Sequence, residues 1–445
     1  MVSVGYMDPG NWATDIEGGA RFGYGLLWVL VLANAIAVLL QGASARLGIA
    51  SGLDLAQACR RSYGRPVNVT LWLGAELAII ACDMAEVLGS AVALDLLFGV
   101  PMVLGALLTG FDVLLILALQ RRGRSTLEAI IVALVFTIAA CLVMELLWVR
   151  PSPGALVRGL APRLDGAALY VAVGILGATV MPHNLYLHSA LAKGAVGAAP
   201  TDKKREARSS LVTTIVALNL ALFVNAAILV LAAGVFGAKG VVVTDLREAH
   251  DLLTPMLGTA AASVLFAVAL LCSGQSSTIT GTLAGQIVME GFVRVKVSPV
   301  LRRSITRGIA VVPAVVVLAI AGEQGTMPLL VASQVVLSLQ LPFAIVPLVR
   351  FVRARALMGE LAVSRRATIL HVAAAALVTT AGGALLIQLV RAVHATHPLW
   401  AFVLAGATAA AAAFLAYVAL VPLGAAPLKP CKLPAPASFS GRCET

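Results

Sequence analysis

Twelve stretches of this chain are long and apolar enough to fill the hydrocarbon of a bilayer. They fall roughly at 1–20, 24–45, 67–97, 99–119, 127–149, 167–192, 211–235, 259–290, 305–321, 328–349, 368–391 and 399–422. A helix needs about 20 apolar residues to cross. Lipid offers no partner to a backbone N–H or C=O, so an apolar run of that length is a helix or does not span. A β-barrel would instead alternate over segments of about ten residues. The 445 residues are 60% hydrophobic and 12% charged, with a mean hydropathy of +0.97. That excludes a soluble enzyme, a disordered chain and a secreted disulfide scaffold. The six cysteines (Cys59, Cys82, Cys141, Cys272, Cys431 and Cys443) have no metal-site spacing and read as thiols. No cleavable signal peptide is visible. The expected class is an all-α polytopic membrane protein of about 11–12 spans.

The net charge of +11 invites a nucleic-acid reading, but the placement of the charges opposes it. With the N-terminus placed in the cytoplasm, the inner loops and tail hold 25 Lys and Arg and the outer loops 7. That asymmetry predicts cytosolic N- and C-termini in the cell's inner, cytoplasmic membrane. The basic balance is then a topology signal, and no nucleic-acid partner is needed. From Leu423 to Thr445 the chain is rich in Pro, Ala and Ser and reads as a disordered tail.

Most of the apolar runs are bland, and the exceptions carry the functional information. The first is Asp8-Pro9-Gly10-Asn11. Pro removes a backbone donor and Gly lets the chain leave helical geometry, so the helix should unwind here. Unwound backbone at membrane depth survives only where it lines a site or cavity. The alternative is an ordinary helix N-cap. The second exception, Met181-Pro182-His183-Asn184, sits in the middle of the sixth run and repeats the X-Pro-X-Asn pattern. Alone, Met181 reads as core filler and His183 as a satisfied core histidine. Interrupted helices in corresponding positions of two halves point instead to an inverted-repeat transporter with a site at the midplane.

The third exception is Glu76, Asp83 and Glu86, whose spacings of 7 and 3 put three carboxylates on one helical face. Intramembrane acids are expensive and suggest a proton or ion path. A salt-bridged network with Arg302 or Arg303 is the structural alternative. Asn34, Gln41 and Asn225 read as interhelical glue, and Gln334 as a possible extra ligand. The stretch Ser273–Thr282 reads as permitting close packing.

Two broken helices could converge an Asp8 carboxylate, an Asn11 amide oxygen, the Met181 sulfur and carbonyls freed near Gly5 and Ala178. One negative charge among neutral donors suits a cation. The thioether adds nothing for Mg²⁺ or Ca²⁺ but favours borderline transition metals, so the set reads as Mn²⁺ or Fe²⁺ with Co²⁺ and Cd²⁺ as competitors. The runner-up is a sodium-coupled organic-solute symporter of the same architecture.

With these motifs in hand, the chain resembles the Nramp family of divalent-metal transporters, in its bacterial manganese- and iron-importing branch. Asn11-Trp12-Ala13-Thr14-Asp15-Ile16-Glu17-Gly18-Gly19 and Tyr186-Leu187-His188-Ser189 extend the match. The resemblance implies a LeuT-like fold of five plus five inverted helices. Residues 1–150 would form the first repeat, 151–350 the second and 351–422 additional C-terminal helices, with 423–445 as the tail. It implies Mn²⁺/Fe²⁺ uptake coupled to protons, by a protein working as a monomer, with metal as cargo and no cofactor. Carried over by motif, Asp8, Asn11, Met181 and the Ala178 carbonyl bind metal, joined in some conformations by the Gly5 carbonyl and Gln334. His183, Asp83 and Glu86 lie on the proton route, with Arg302 or Arg303 pairing to it. Relatives that move Mg²⁺ lack the motif Met, and Met181 is present here. The family normally has a full half-helix before Asp8 where this chain has Met1–Met7, which points to a truncated or misassigned start.

Overall fold

The computed structural model describes residues 6–110, 124–195, 203–243, 245–293 and 299–423, and among these every regular element is helical. The principal helices are α1 (Pro9–Phe22), α2 (Leu27–Ser51), α3 (Leu55–Ser62), α4 (Arg65–Phe98), α5 (Met102–Thr109) and α6 (Arg124–Val149). They continue as α7 (Leu169–Val180), α8 (Pro182–Ala195), α9 (Lys203–Val235), α10 (Leu246–Leu257) and α11 (Ala260–Val293). The last are α12 (Pro299–Ala321), α13 (Thr326–Arg353), α14 (Arg365–Thr396) and α15 (Pro398–Leu420). Nine segments among the described residues are long and apolar enough to cross a membrane, with Pro9–Ser51 counted as one although it holds both α1 and α2. Ile305–Ile320 is a shorter apolar helix. The all-α multi-span class read from the sequence is the class observed.

The ends of the helices follow local chemistry. Helix α2 stops where Gly52 adopts φ 69° and α4 where Gly99 adopts φ 66°, the left-handed cap that glycine takes without a Cβ penalty. Helix α3, which the apolar pattern did not announce, is short and amphipathic. Asp54 and Gln57 close a reciprocal capping box at its start.

Helix α1 sits at the centre, against α9, α13, α7 and α4. Helix α4 lies along α11, and α13 spans both α7 and α4. Trp12 of α1 is fully buried and meets Phe266 of α11 edge to face, with ring centroids 5.3 Å apart. Small residues set how closely these helices approach. A Cβ on Gly177 of α7 would lie 2.6 Å from the backbone nitrogen of Ser338 on α13, so only glycine fits that crossing. Helices α14 and α15 are peripheral, and α15 buries only Ala401 and Val418. Arg350 at the end of α13 holds α15 by donating to the Val418 and Val421 carbonyls. The expected tail beyond Leu423 lies outside the described residues.

Candidate functional site

Both predicted breaks are present. Tyr6, Met7 and Asp8 precede α1 outside the helix, and Asp8 is its N-cap with φ −74° and ψ 162°. The cap and site readings therefore coincide, because this cap is wholly buried. The Asp8 carboxylate accepts from the Asn11 backbone N–H at 3.1 Å and from the Asn11 side-chain amide at 2.7 Å. Gln334 Nε2 of α13 donates to its other oxygen at 3.3 Å. No Lys or Arg pairs with Asp8 among the described residues. A buried carboxylate held only by neutral donors has no cationic partner of its own, and a bound cation could serve as one.

Tyr6 and Met7, just before α1, have their own carbonyls to satisfy. Tyr6 O accepts from the side-chain amides of Asn11 at 3.1 Å and Asn225 at 3.2 Å, and Met7 O accepts from Ser273 Oγ. Asn225, read as glue, and Ser273, read as a packing residue, thus secure the segment before α1. Gly10 makes room for Gln334, since a Cβ there would overlap its amide group.

The second break is sharper. Met181, fully buried, joins α7 to α8 at φ 44° and ψ 100°. Positive φ in a long side chain stores roughly 1–3 kcal/mol and persists only where the surroundings impose it. Pro182 has no N–H to return to the carbonyl four residues earlier, and that carbonyl belongs to Ala178, itself buried. The Met181 sulfur accepts from Asn184 Nδ2 at 3.3 Å. The Asn184 side chain also bonds Tyr6, which links the second break to the first. Gln334 Oε1 and Asn184 Oδ1 are buried without a partner and remain available as oxygen donors. Gly5 lies outside the described residues. No three His, Cys, Asp or Glu side chains cluster as metal ligands among the described residues, consistent with one carboxylate among amide, carbonyl and thioether donors.

Beside this centre runs a second polar line. His183 is buried at the start of α8, its Nε2 3.8 Å from the Cys82 sulfur of α4 and its Nδ1 unbonded. Cys82 lies 3.7 Å from Glu86 Oε1. Arg307 of α12 then meets Glu86 Oε2 at 3.0 Å and Asp83 Oδ1 at 3.7 Å, and donates to Thr278 at 3.3 Å. Here the sequence reading needs correction. The 25 inner-side Lys and Arg of the charge count include Arg307 as a loop residue, yet it is only 4% exposed inside the bundle. The side chains of Arg302 and Arg303, the expected partners, lie outside those described. Glu76 accepts from Trp72 at 2.9 Å and sits ten residues, about 15 Å of helix, from Glu86. The sequence reading also passed over Tyr6, Asn184 and Cys82. It passed over Asp15 and Glu145 too, buried carboxylates with neither oxygen hydrogen-bonded. An acid inside an apolar run was the signal available for the last two.

Comparison with known proteins follows the same lines. The family model Nramp, described as natural resistance-associated macrophage protein-like, matches residues 1–388. A divalent metal cation transporter MntH from Xanthomonas campestris pv. campestris is 57% identical over 367 residues, covering 81% of this chain and 83% of that protein. Among solved structures, an Eremococcus coleocola manganese transporter in complex with an aromatic bis-isothiourea substituted compound superposes with a TM-score of 0.84. It is 35% identical, and the match covers 94% of this chain and 92% of that one. Mhp1, a nucleobase-cation-symport-1 family transporter, matches with a TM-score of 0.54 at 16% identity, covering 94% of this chain and 91% of its own, and shares the fold alone.

Proposed function

The chain belongs to the Nramp family, whose members are transporters and not enzymes, and from that premise we propose that it imports divalent transition-metal ions across the cytoplasmic membrane. Mn²⁺ and Fe²⁺ are the cargo, Co²⁺ and Cd²⁺ competitors, and protons accompany them through alternating access. The observation that carries this reading is the buried, cation-free Asp8 carboxylate at one helix break, joined through Tyr6 and Asn184 to the thioether of Met181 at the other. Asp8, Asn11, Met181 and the Ala178 carbonyl hold the ion, with the Gly5 carbonyl and Gln334 joining in some conformations. The proton route runs through His183, Glu86 and Asp83 to Arg307, while Glu76 lies further along the same helix. Residues 1–150 and 151–350 act as two repeats moving about the fixed site, residues 351–422 add accessory helices, and both termini face the cytosol. The protein works as a monomer.

In this assignment the oxygen donors accept many divalent ions, and the sulfur selects against the hardest. Asp8 supplies the only formal charge in the shell, so charge compensation depends on it. Proteoliposome uptake tests the reading: Asp8→Ala should nearly abolish Mn²⁺ entry in a protein that still folds, with internal pH followed in parallel. Normal uptake by well-folded Asp8→Ala protein would overturn the site.

A further inference from the structure

A cavity of about 690 Å³ opens between α1, α7, α13 and the loop before α10. Its lining includes Glu17, Arg21, Tyr170, Gln324, Met327 and Val331. Val331 is buried, and Gln334, three residues further along α13, reaches Asp8. The cavity therefore ends about one helical turn from the proposed metal site, on the outer side in the assigned orientation. Glu17 is the one carboxylate of the lining among the described residues, with 14% of the side chain exposed, and it accepts from Arg21 at 2.6 Å. Arg21 is 42% exposed and lies one turn further out on the same helix.

An arginine at the mouth of a cation route repels the cargo unless it can be moved. This one is held by an i,i+4 pair, half-exposed at its Arg21 end, and by the Phe22 ring 5.4 Å away; such pairs are weak and further weakened by salt. A divalent ion arriving at Glu17 replaces a single positive charge by a double one, so exchange is favoured electrostatically. Liquid water occupies about 30 Å³ per molecule, so the cavity has room for an ion that keeps its six or so waters. Tyr170 and Gln324 add polar side chains to the lining. The lone sulfur, Met327, is only 3% exposed in the wall.

We propose that this cavity is a second, outer cation site, in which Glu17 captures a hydrated divalent ion by displacing Arg21 before the ion passes to Asp8. The proposal rests on the metal-transport reading of the inner site. Because the ion keeps its water, the outer site recognises charge and not softness: Ca²⁺ and Mg²⁺ compete there on equal terms with Mn²⁺. The inner site discriminates, and the outer one concentrates.

The test is Mn²⁺ binding, followed by electron paramagnetic resonance and calorimetry on the full chain in lipid nanodiscs. Asp8→Asn removes the inner charge but keeps a good helix cap. It should lose the tight binding that resists Ca²⁺ and retain weak binding displaced by equal Ca²⁺ or Mg²⁺. Adding Glu17→Gln should weaken that remainder at least tenfold, and adding Arg21→Gln instead should tighten it several-fold. In the otherwise native chain, Glu17→Gln should lower uptake at sub-saturating Mn²⁺ several-fold, the deficit shrinking as ionic strength rises. The outer site is refuted if Asp8→Asn abolishes all Mn²⁺ binding, or if Glu17→Gln leaves the residual binding unchanged. If instead Asp8→Asn binds Mn²⁺ as the native protein does and only Glu17→Gln abolishes it, the inner assignment fails and the outer site stands.

Discussion

Met181 combines two properties that are seldom found in one residue. It is the only proposed donor that is not an oxygen, and its backbone lies in a region that a side chain of its size avoids. Met181→Ala removes the sulfur, leaves that strain and opens a cavity among buried side chains, so stability should fall by about 2–5 kcal/mol. Mn²⁺ uptake should fall modestly, because water replaces a weak neutral ligand, and Cd²⁺ uptake should fall further. Excess Ca²⁺ or Mg²⁺ should then inhibit Mn²⁺ uptake more strongly than in the native protein; equal inhibition of both would assign the discrimination to cavity size. Gly10 acts on the other side of the ion. Gly10→Ala drives a methyl group into the Gln334 amide, which must leave Asp8. Gly10→Ala and Gln334→Ala should therefore weaken metal binding by similar factors, and the double variant should be little worse than either. Additive losses would show that Gly10 acts through something other than Gln334.

At the scale of the helix, what the sequence revealed depended on whether the signal was local. The two proline breaks, the carboxylates of α4 and the apolar runs that fall on described residues are local, and each lies where the pattern put it; most of the run at 99–119 lies outside the described residues. Partner choice was not local. Arg307 follows a masking cluster of basic residues, so counting charges put it in a loop. Only the packing of α12 on α4 shows that it turns inward toward Glu86. Asn225 was legible as an amide that bonds something, but its acceptor lies 219 residues away. The Arg307 interaction yields a further prediction. Removing one partner of a buried ion pair costs about 3–5 kcal/mol, so Arg307→Ala should lower the thermal midpoint markedly. Arg307→Met combined with Asp83→Asn and Glu86→Gln, which removes all the charges, should restore most of the midpoint while leaving proton movement impaired. A triple variant with native proton flux would remove the α4–α12 line from the proposed route.

For the molecule as a whole, the family-model match and the bundle are not coextensive. The family match ends at residue 388, before α15 begins, and α15 touches the rest chiefly through α14, α13 and the Arg350 contacts. A chain ending at His397 should retain Mn²⁺ uptake in proteoliposomes and melt at a lower temperature, since Arg350 loses its carbonyl acceptors. Loss of uptake by a folded truncated protein would make α15 part of the mechanism. Voltage bears on the same scale. A divalent ion gains roughly 4.6 kcal/mol per 100 mV of inside-negative potential, equivalent to accumulation on the order of 10³-fold. Protons are thus free to set direction and rate without supplying the whole driving force.

The backbone just before α1 also imposes an order on biosynthesis. Tyr6 and Met7 leave the ribosome early, yet Asn225 and Ser273, which take up their carbonyls, follow 219 and 266 residues later. At a synthesis rate of about 5–20 residues per second, that interval is roughly 10–50 s. Throughout it the nascent segment has Met7 O without its serine, Tyr6 O with Asn11 alone, and the acids Asp8, Asp15 and Glu17, a combination that lipid rejects. The segment must therefore wait in a wet or protein-lined place, within the insertion machinery, until α11 arrives. The segment is made before its partners and becomes membrane-competent only once they arrive.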